Sequence, residues 1–147
     1  MNADMSSSLW QARGTMSVLT GGFSVHEITN DAANWLTDEG AREGLLTIFL
    51  RHTSASLLIM ENADPDVMAD IMDALKRLAP ENEELYRHRT EGPDDMPAHI
   101  RASLTQTHIS VPVTDGRMEL GTWQGIWLLE HRARAQTREL VLHYVGG

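Results

Sequence analysis

Apolar or small residues occupy the even positions Trp10, Ala12, Gly14, Met16 and Val18 and alternate with mostly polar neighbours. That period of two predicts a half-buried strand, and Gly21-Gly22 closes it with a turn. The spacing then lengthens: Ile28, Ala32, Trp35 and Leu36 fall at i, i+4, i+7 and i+8, which predicts a short helix with one apolar stripe, ending near Gly40. Gly44–Leu50 (GLLTIFL) and Ala55–Met60 (ASLLIM) are short apolar runs and read as strands on either side of the polar segment Arg51-His52-Thr53-Ser54. Asp64-Pro65 supplies an N-cap and a proline at the first helical position. Val67, Ile71, Leu75 and Leu78 carry the helix on, and Ala79-Pro80 stops it.

Residues 80–97 lose all periodicity and contain Pro80, Pro93 and Pro97, many acids and His88. A loop that long in a compact domain is more often functional than not. A short helix is expected over Pro97–Leu104. Ile109, Val111 and Val113 alternate, Asp115-Gly116 reads as a turn, and Met118 and Leu120 alternate on the return, which predicts a hairpin. Two further strands are expected over Gly125–Glu130 and Arg138–Val145. With no internal repeat and no dividing linker, residues 1–147 read as one α+β domain of mainly antiparallel strands with inserted helices. Trp123 and Trp127, close together among four tryptophans, suit either the core or a subunit interface.

Composition narrows the chemistry. The chain has 147 residues, 12 Lys+Arg against 21 Asp+Glu, and a formal charge of −9. Such an excess of negative charge opposes attachment to phosphate backbones or anionic lipid, so neither nucleic acid nor a membrane is expected as a partner. Met1–Ser8 is polar with no basic leader, and no apolar run approaches the ~20 residues of a membrane span, which leads to an expected cytoplasmic location. The absence of cysteine removes disulfides, thiolate metal sites and cysteine nucleophiles, and leaves His, Asp and Glu as the strong metal ligands.

The densest polar string is HRTEGPDDMPAH, holding His88, Glu91, Asp94, Asp95 and His99. Imidazole plus carboxylate suits a divalent metal such as zinc or magnesium. The spacing matches no short metal signature, so a third imidazole must come from elsewhere, and His52 is the best placed. Taken singly, His88 is a solvated loop residue, His99 a helix-surface residue and Asp95 a helix cap as readily as any of them is a ligand. With the helix starting at Pro97, His99 lies in its first turn, where the helix dipole keeps the ring neutral, and Arg101 stands near enough to meet a phosphate. Strand alternation puts His52 and Ser54, but not Thr53, on one face. Gln124, in the bend Gly121–Gly125, is a candidate to face a ligand. No GxSxG elbow, GxxxxGK[ST] loop or GxGxxG loop is present, and Glu61, Asn62 and Asp64 read as capping residues.

HTSASL at 52–57, ENADPDV at 61–67, HRTEGPDDMPAHI at 88–100 and PVTDGRMELGTWQGIWLLEHR at 112–132 together resemble the YjbQ-like family, also labelled the secondary thiamine-phosphate synthase family. The resemblance covers nearly the whole chain. It departs from the commoner pattern at Arg132-Ala133-Arg134-Ala135, where the family turn is richer in glycine. What it implies is an antiparallel β-sandwich with flanking helices, assembled as a homotrimer. It further implies a metal or anion site at the positions matching His52, His88 and His99, with Glu91 and Asp95 beside them. His52, His99, Glu91 and Asp95 are then the candidate catalytic groups, and Ser54, Arg101 and Gln124 the candidate contacts to a small phosphorylated metabolite. The implied reaction joins hydroxymethylpyrimidine diphosphate to a thiazole phosphate. A TIM barrel takes ~250 residues, so this chain would perform that chemistry on an unrelated fold and as a secondary activity. Two other classes fit the same residues: a non-catalytic module that binds a phosphorylated metabolite, and a metal-dependent ester hydrolase.

Overall fold

The computed structural model describes residues 8–147; the polar start read at Met1–Ser8 lies, except for Ser8, outside them. Among the described residues, eight strands and three α-helices follow one another: β1 (Trp10–Leu19), β2 (Ser24–Glu27), α1 (Thr29–Glu39), β3 (Gly44–Leu50), β4 (Ala55–Glu61), α2 (Pro65–Leu78), α3 (Asp95–Leu104), β5 (His108–Thr114), β6 (Arg117–Met118), β7 (Gln124–Glu130) and β8 (Thr137–Gly146). A five-stranded sheet runs β1-β8-β3-β5-β6 and a three-stranded sheet β2-β7-β4. Every strand pair within the two sheets is antiparallel. The α+β sandwich expected from the sequence is the fold found.

Apolar alternation explains the packing. Leu46, Ile48 and Leu50 of β3, Ile109, Val111 and Val113 of β5 and Leu140, Leu142 and Tyr144 of β8 turn one face of the larger sheet inward. They meet Leu57, Ile126 and Leu128 of the smaller sheet, and Ala32 and Leu36 of α1 complete this core. The smaller sheet is covered on its other side by α2. Met68, Met72 and Leu75 pack there on Leu129, with Phe23, Val25 and Trp127 alongside. Asp64 caps α2 as expected, its carboxylate accepting the Asp66 N–H at 2.9 Å. Asp115 and Gly116 both have positive φ, 53° and 74°, as the hairpin turn between β5 and β6 demands.

Several expectations are corrected. The third helix begins at Asp95, not Pro97, so His99 is its fifth residue, past the first turn, and the dipole argument for it falls. Strand β2 has no alternation to reveal it, and Leu120 lies beyond the two-residue β6. Trp127 is partly buried against the α2 cluster, with Nε1–H donating to the Met60 carbonyl at 3.1 Å, whereas Trp123 is 64% exposed. No helix among the described residues is long and apolar enough to cross a membrane. The segment 51–54 joins strands of different sheets rather than neighbours in one, and this last difference makes the site.

Candidate metal centre

Two chain crossings between the sheets meet at one end of the sandwich. Residues 51–54 carry the chain from β3 to β4, and residues 131–136 carry it from β7 to β8. The His131 N–H donates to the Ser54 carbonyl at 3.3 Å, tying the crossings together. α3 packs against β4 beside them, and the loop ahead of α3 closes the group.

Asp95 is the first residue of α3, and His99, four positions on, shares its helix face. His88 comes from the preceding loop. One oxygen of Asp95, Oδ2, lies 2.7 Å from His88 Nε2 and 3.0 Å from His99 Nε2. The other, Oδ1, receives Arg132 Nη1 at 2.8 Å. Asp95 is only 1% exposed, so its charge has to be matched by these neighbours. Burial opposes its ionisation, but the hydrogen bond from His88, with help from Glu91, His99 and Arg132, outweighs burial and holds the carboxyl below its ordinary range. Asp94 is held low in the same way against burial, by Arg132 Nε at 2.9 Å and the Ala133 N–H at 2.9 Å. Its bond to Asp94 raises the Arg132 guanidinium in turn. Arg132 also donates to the Glu91 carbonyl at 3.1 Å, so one planar fork fixes residues 91–95.

His99 is fixed from behind. Its Nδ1 lies 2.8 Å from the Thr53 carbonyl, which can only accept, so Nδ1 carries the hydrogen and donates. In a neutral ring Nε2 then presents a lone pair to an Asp95 oxygen that is itself an acceptor. Two acceptors 3.0 Å apart require a cation between or upon them: a second proton on the ring, or a metal. The ligand atoms of His88, Asp95 and His99 all lie within 4.8 Å of one another. Tetrahedral zinc with bonds of roughly 2.0–2.1 Å separates its ligand atoms by about 3.3 Å, so the 2.7 and 3.0 Å separations at Asp95 Oδ2 would open by a few tenths of an ångström to admit it. An imidazole held at its far nitrogen by a backbone carbonyl is the usual support of a histidine metal ligand. The three residues therefore fit a divalent metal.

The remaining candidates fall differently. Glu91 stays at the edge, its Oε2 4.0 Å from His88 Nε2 and its side chain 65% exposed. His52 is not among the converging ligands, because its Nε2 accepts the Glu139 N–H at 2.8 Å; it lines a cavity next to the group together with Thr53 and His99. Ser54 is buried, with Oγ accepting from Arg138 Nη2 at 2.9 Å. Since 52–54 is not a strand, alternation does not govern it, and Thr53 rather than Ser54 reaches the site. Arg101 is 2% exposed, donates to the Ala79 carbonyl at 2.7 Å and lies over the Phe23 ring, so it is closed to a phosphate. Gln124 accepts the Gly121 N–H through Oε1 at 2.8 Å and lines a different cavity, with Gln106 and His108. It stands at the far end of the β4–β7 pair from the crossings, about 20 Å away at ~3.3 Å per residue. Asp95 does not cap its helix; its carboxylate turns to the imidazoles.

Sequence reasoning missed Arg132, the Thr53 carbonyl and the buried pair Arg138–Glu130. The departure at Arg132-Ala133-Arg134-Ala135 was the one visible signal for Arg132. A backbone carbonyl leaves none.

These features define a two-sheet α+β domain with a His–Asp–His group where its crossings meet. The family model described as UPF0047 protein YjbQ-like matches residues 14–147. The chain is 49% identical over 129 residues to UPF0047 protein sll1880 of Synechocystis, covering 88% of each. It is 43% identical over 138 residues to UPF0047 protein YjbQ of Escherichia coli, covering 93% of this chain and 98% of that one. A crystal structure of a YjbQ/UPF0047 protein from Clostridium acetobutylicum superposes with a TM-score of 0.80 at 33% identity, over 87% of this chain and 96% of that one. The chain belongs to the UPF0047 YjbQ-like family.

Proposed function

We propose that His88, Asp95 and His99 hold a divalent metal and that the protein is a metal-dependent enzyme acting on a small phosphorylated metabolite. The observation that carries this is the His99 ring, whose Nδ1–H is committed to Thr53 while Nε2 faces a carboxylate oxygen at 3.0 Å. Two imidazoles and one carboxylate favour zinc over magnesium, which prefers oxygen ligands. Three protein ligands leave a position for water or substrate, and a metal there would polarise a phosphoryl oxygen or activate water. Arg132 holds Asp95 in place, Thr53 orients His99, and Glu91 is the exposed carboxylate nearest the group. The thiamine-phosphate synthase-like condensation implied by the family resemblance is the reaction to assay first, with generic phosphate and carboxylic esters beside it. The same resemblance implies a homotrimer. The uncovered face of the five-stranded sheet, with Leu45, Phe49 and Val145 exposed, is the surface it would use.

The test is metal content per chain by elemental analysis on untagged protein, wild type against His99→Ala. About one equivalent in wild type, lost in a folded variant together with turnover, is the expected result. A folded, metal-free wild type that is fully active on either substrate class would overturn the reading.

A further inference from the structure

His52 has a hydrogen-bonding problem of its own. The Glu139 backbone N–H points at its Nε2 from 2.8 Å, so Nε2 must be the lone-pair nitrogen and Nδ1 must carry the hydrogen. Arg138 Nη1 lies 3.4 Å from that Nδ1. Arg138 has only donors, so two hydrogen-bearing nitrogens face each other with no acceptor between them. The opposite tautomer only moves the conflict to the shorter contact, setting an N–H against the Glu139 N–H at 2.8 Å.

Elsewhere Arg138 is fully engaged. Nε and Nη2 hold the two oxygens of Glu130, and Nη2 also meets the Ser54 carbonyl and Oγ. Nη1 has no other partner among the described residues, and the side chain is 5% exposed. A buried guanidinium with one nitrogen left over, turned toward a second donor, is costly unless an acceptor completes it. His52 also lines a cavity of about 310 Å³ with Thr53, His99, Ala102, Ser103 and Thr107. The next residue, Thr53, holds His99.

We propose that His52 Nδ1–H and Arg138 Nη1–H jointly donate to one oxygen of a small oxyanion, a phosphate or carboxylate group, with His52, but not the buried Arg138, on the wall of the cavity that His99 also lines. The two donors are close enough to converge on a single oxygen, and the cation behind one of them makes that oxygen an anionic one. The subsite stands on these donors alone. Its role in holding a substrate next to the reacting centre rests on the metal reading above.

The test follows the His52 side chain by ¹⁵N-resolved NMR at neutral pH during separate titrations with inorganic phosphate and acetate. Wild type, His52→Gln and His52→Asn are compared, with metal content measured on the same preparations. Glutamine offers an oxygen to the Glu139 N–H but no donor at the Nδ1 position. Asparagine can place its amide nitrogen there. The expected results are an Nδ1–H tautomer, a shift of that proton on adding anion, about tenfold or greater weakening in His52→Gln, and most of the affinity kept in His52→Asn. Tighter phosphate than acetate identifies a phosphoryl ligand, and the reverse a carboxylate. An Nε2–H tautomer, or equal affinity in wild type and His52→Gln, overturns the subsite and leaves the gap to water. Metal retained while anion binding is indifferent to His52 breaks this inference alone. Anion binding that depends on His52 in a metal-free protein breaks the metal reading alone.

Discussion

Asp95 and Glu130 are both carboxylates with almost no solvent exposure, 1% and 0%, and each is held by an arginine of the same stretch of chain. They do opposite things. Glu130 has all its acceptor capacity met by permanent donors: Thr20 Oγ1 at 2.7 Å, Arg138 Nε at 2.8 Å, Arg138 Nη2, and the Arg132 N–H at 3.3 Å. Asp95 has one oxygen tied to Arg132 and gives the other to two imidazoles, each of which can bind a metal instead. A buried charge is therefore not in itself the mark of a site. The mark is a buried charge whose partners can be replaced by a cation from solution.

The largest expected effect comes from breaking the structural member of this pair. Glu130→Ala leaves Arg138 buried and unpaired and should cost about 3–5 kcal/mol in denaturant unfolding. A loss under ~1 kcal/mol would remove the distinction, because Glu130 would then be as dispensable to folding as a ligand can be. Asp95→Asn is the counterpart. It keeps shape and a hydrogen-bonding oxygen, so the fold should survive, while zinc affinity measured by competition with a chelator falls by more than the roughly 100-fold that marks the upper end for groups that only support a ligand, because Asp95 is itself a ligand.

Acid separates the two regions in another way. Burial pushes the His131 imidazole down to about 4 from an ordinary 6.5. The ring is 1% exposed, with Nε2 2.8 Å from Ser56 Oγ. The unfolded chain therefore takes up this proton before the folded one, so stability is complete above the unfolded value and falls as pH drops from about 6.5 toward 4. The full shift amounts to roughly 3 kcal/mol. His131→Leu should flatten unfolding free energy over that window. If the slope persists unchanged in the variant, other groups carry it. Stripping the metal with a chelator should leave this slope unchanged, because His131 lies outside the His–Asp–His group.

The elements that were legible in the sequence share one cause: their pattern is local. The alternation of Trp10–Val18, the cap at Asp64-Pro65 and the Asp115-Gly116 turn each announce one element from neighbouring residues alone. Pairing is not local: GLLTIFL and ASLLIM flank one short polar segment, yet they lie in different sheets. The site follows the same division. His88, Asp95 and His99 fall within one short string and could be read as a group. Arg132 and Thr53 reach them from distant parts of the chain and could not. His52 was singled out for its polar setting, and the structure brings it near the group while committing its Nε2 to Glu139. Arg101, near enough to the helix start in sequence to meet a phosphate, is taken inside by the Phe23 ring and the Ala79 carbonyl.

Arg132 links the two carboxylates, since its side chain grips Asp94 and Asp95 while its backbone N–H meets Glu130. Arg132→Met should leave the Glu130–Arg138 pair standing and free the 91–95 loop. Zinc affinity is expected to fall about 10-fold to 100-fold, with a stability loss smaller than that of Glu130→Ala. Equal losses of stability in the two variants would mean that the two regions form one cooperative unit, not a scaffold and a site.

The smallest expected effect tests where the site ends. Glu91 reaches only to 4.0 Å from His88 Nε2, and its side chain is 65% exposed, so solvent screens most of what its charge could contribute. Glu91→Gln should change zinc affinity by less than about threefold, the scale of an exposed ion pair. Turnover is the sharper readout, because a group that moves a proton can be nearly silent in binding. A large drop in turnover with zinc retained would make Glu91 the acid or base of the reaction. A large drop in zinc itself would make it a fourth ligand, close the position left for substrate, and turn the His–Asp–His group from a reacting centre into a structural one.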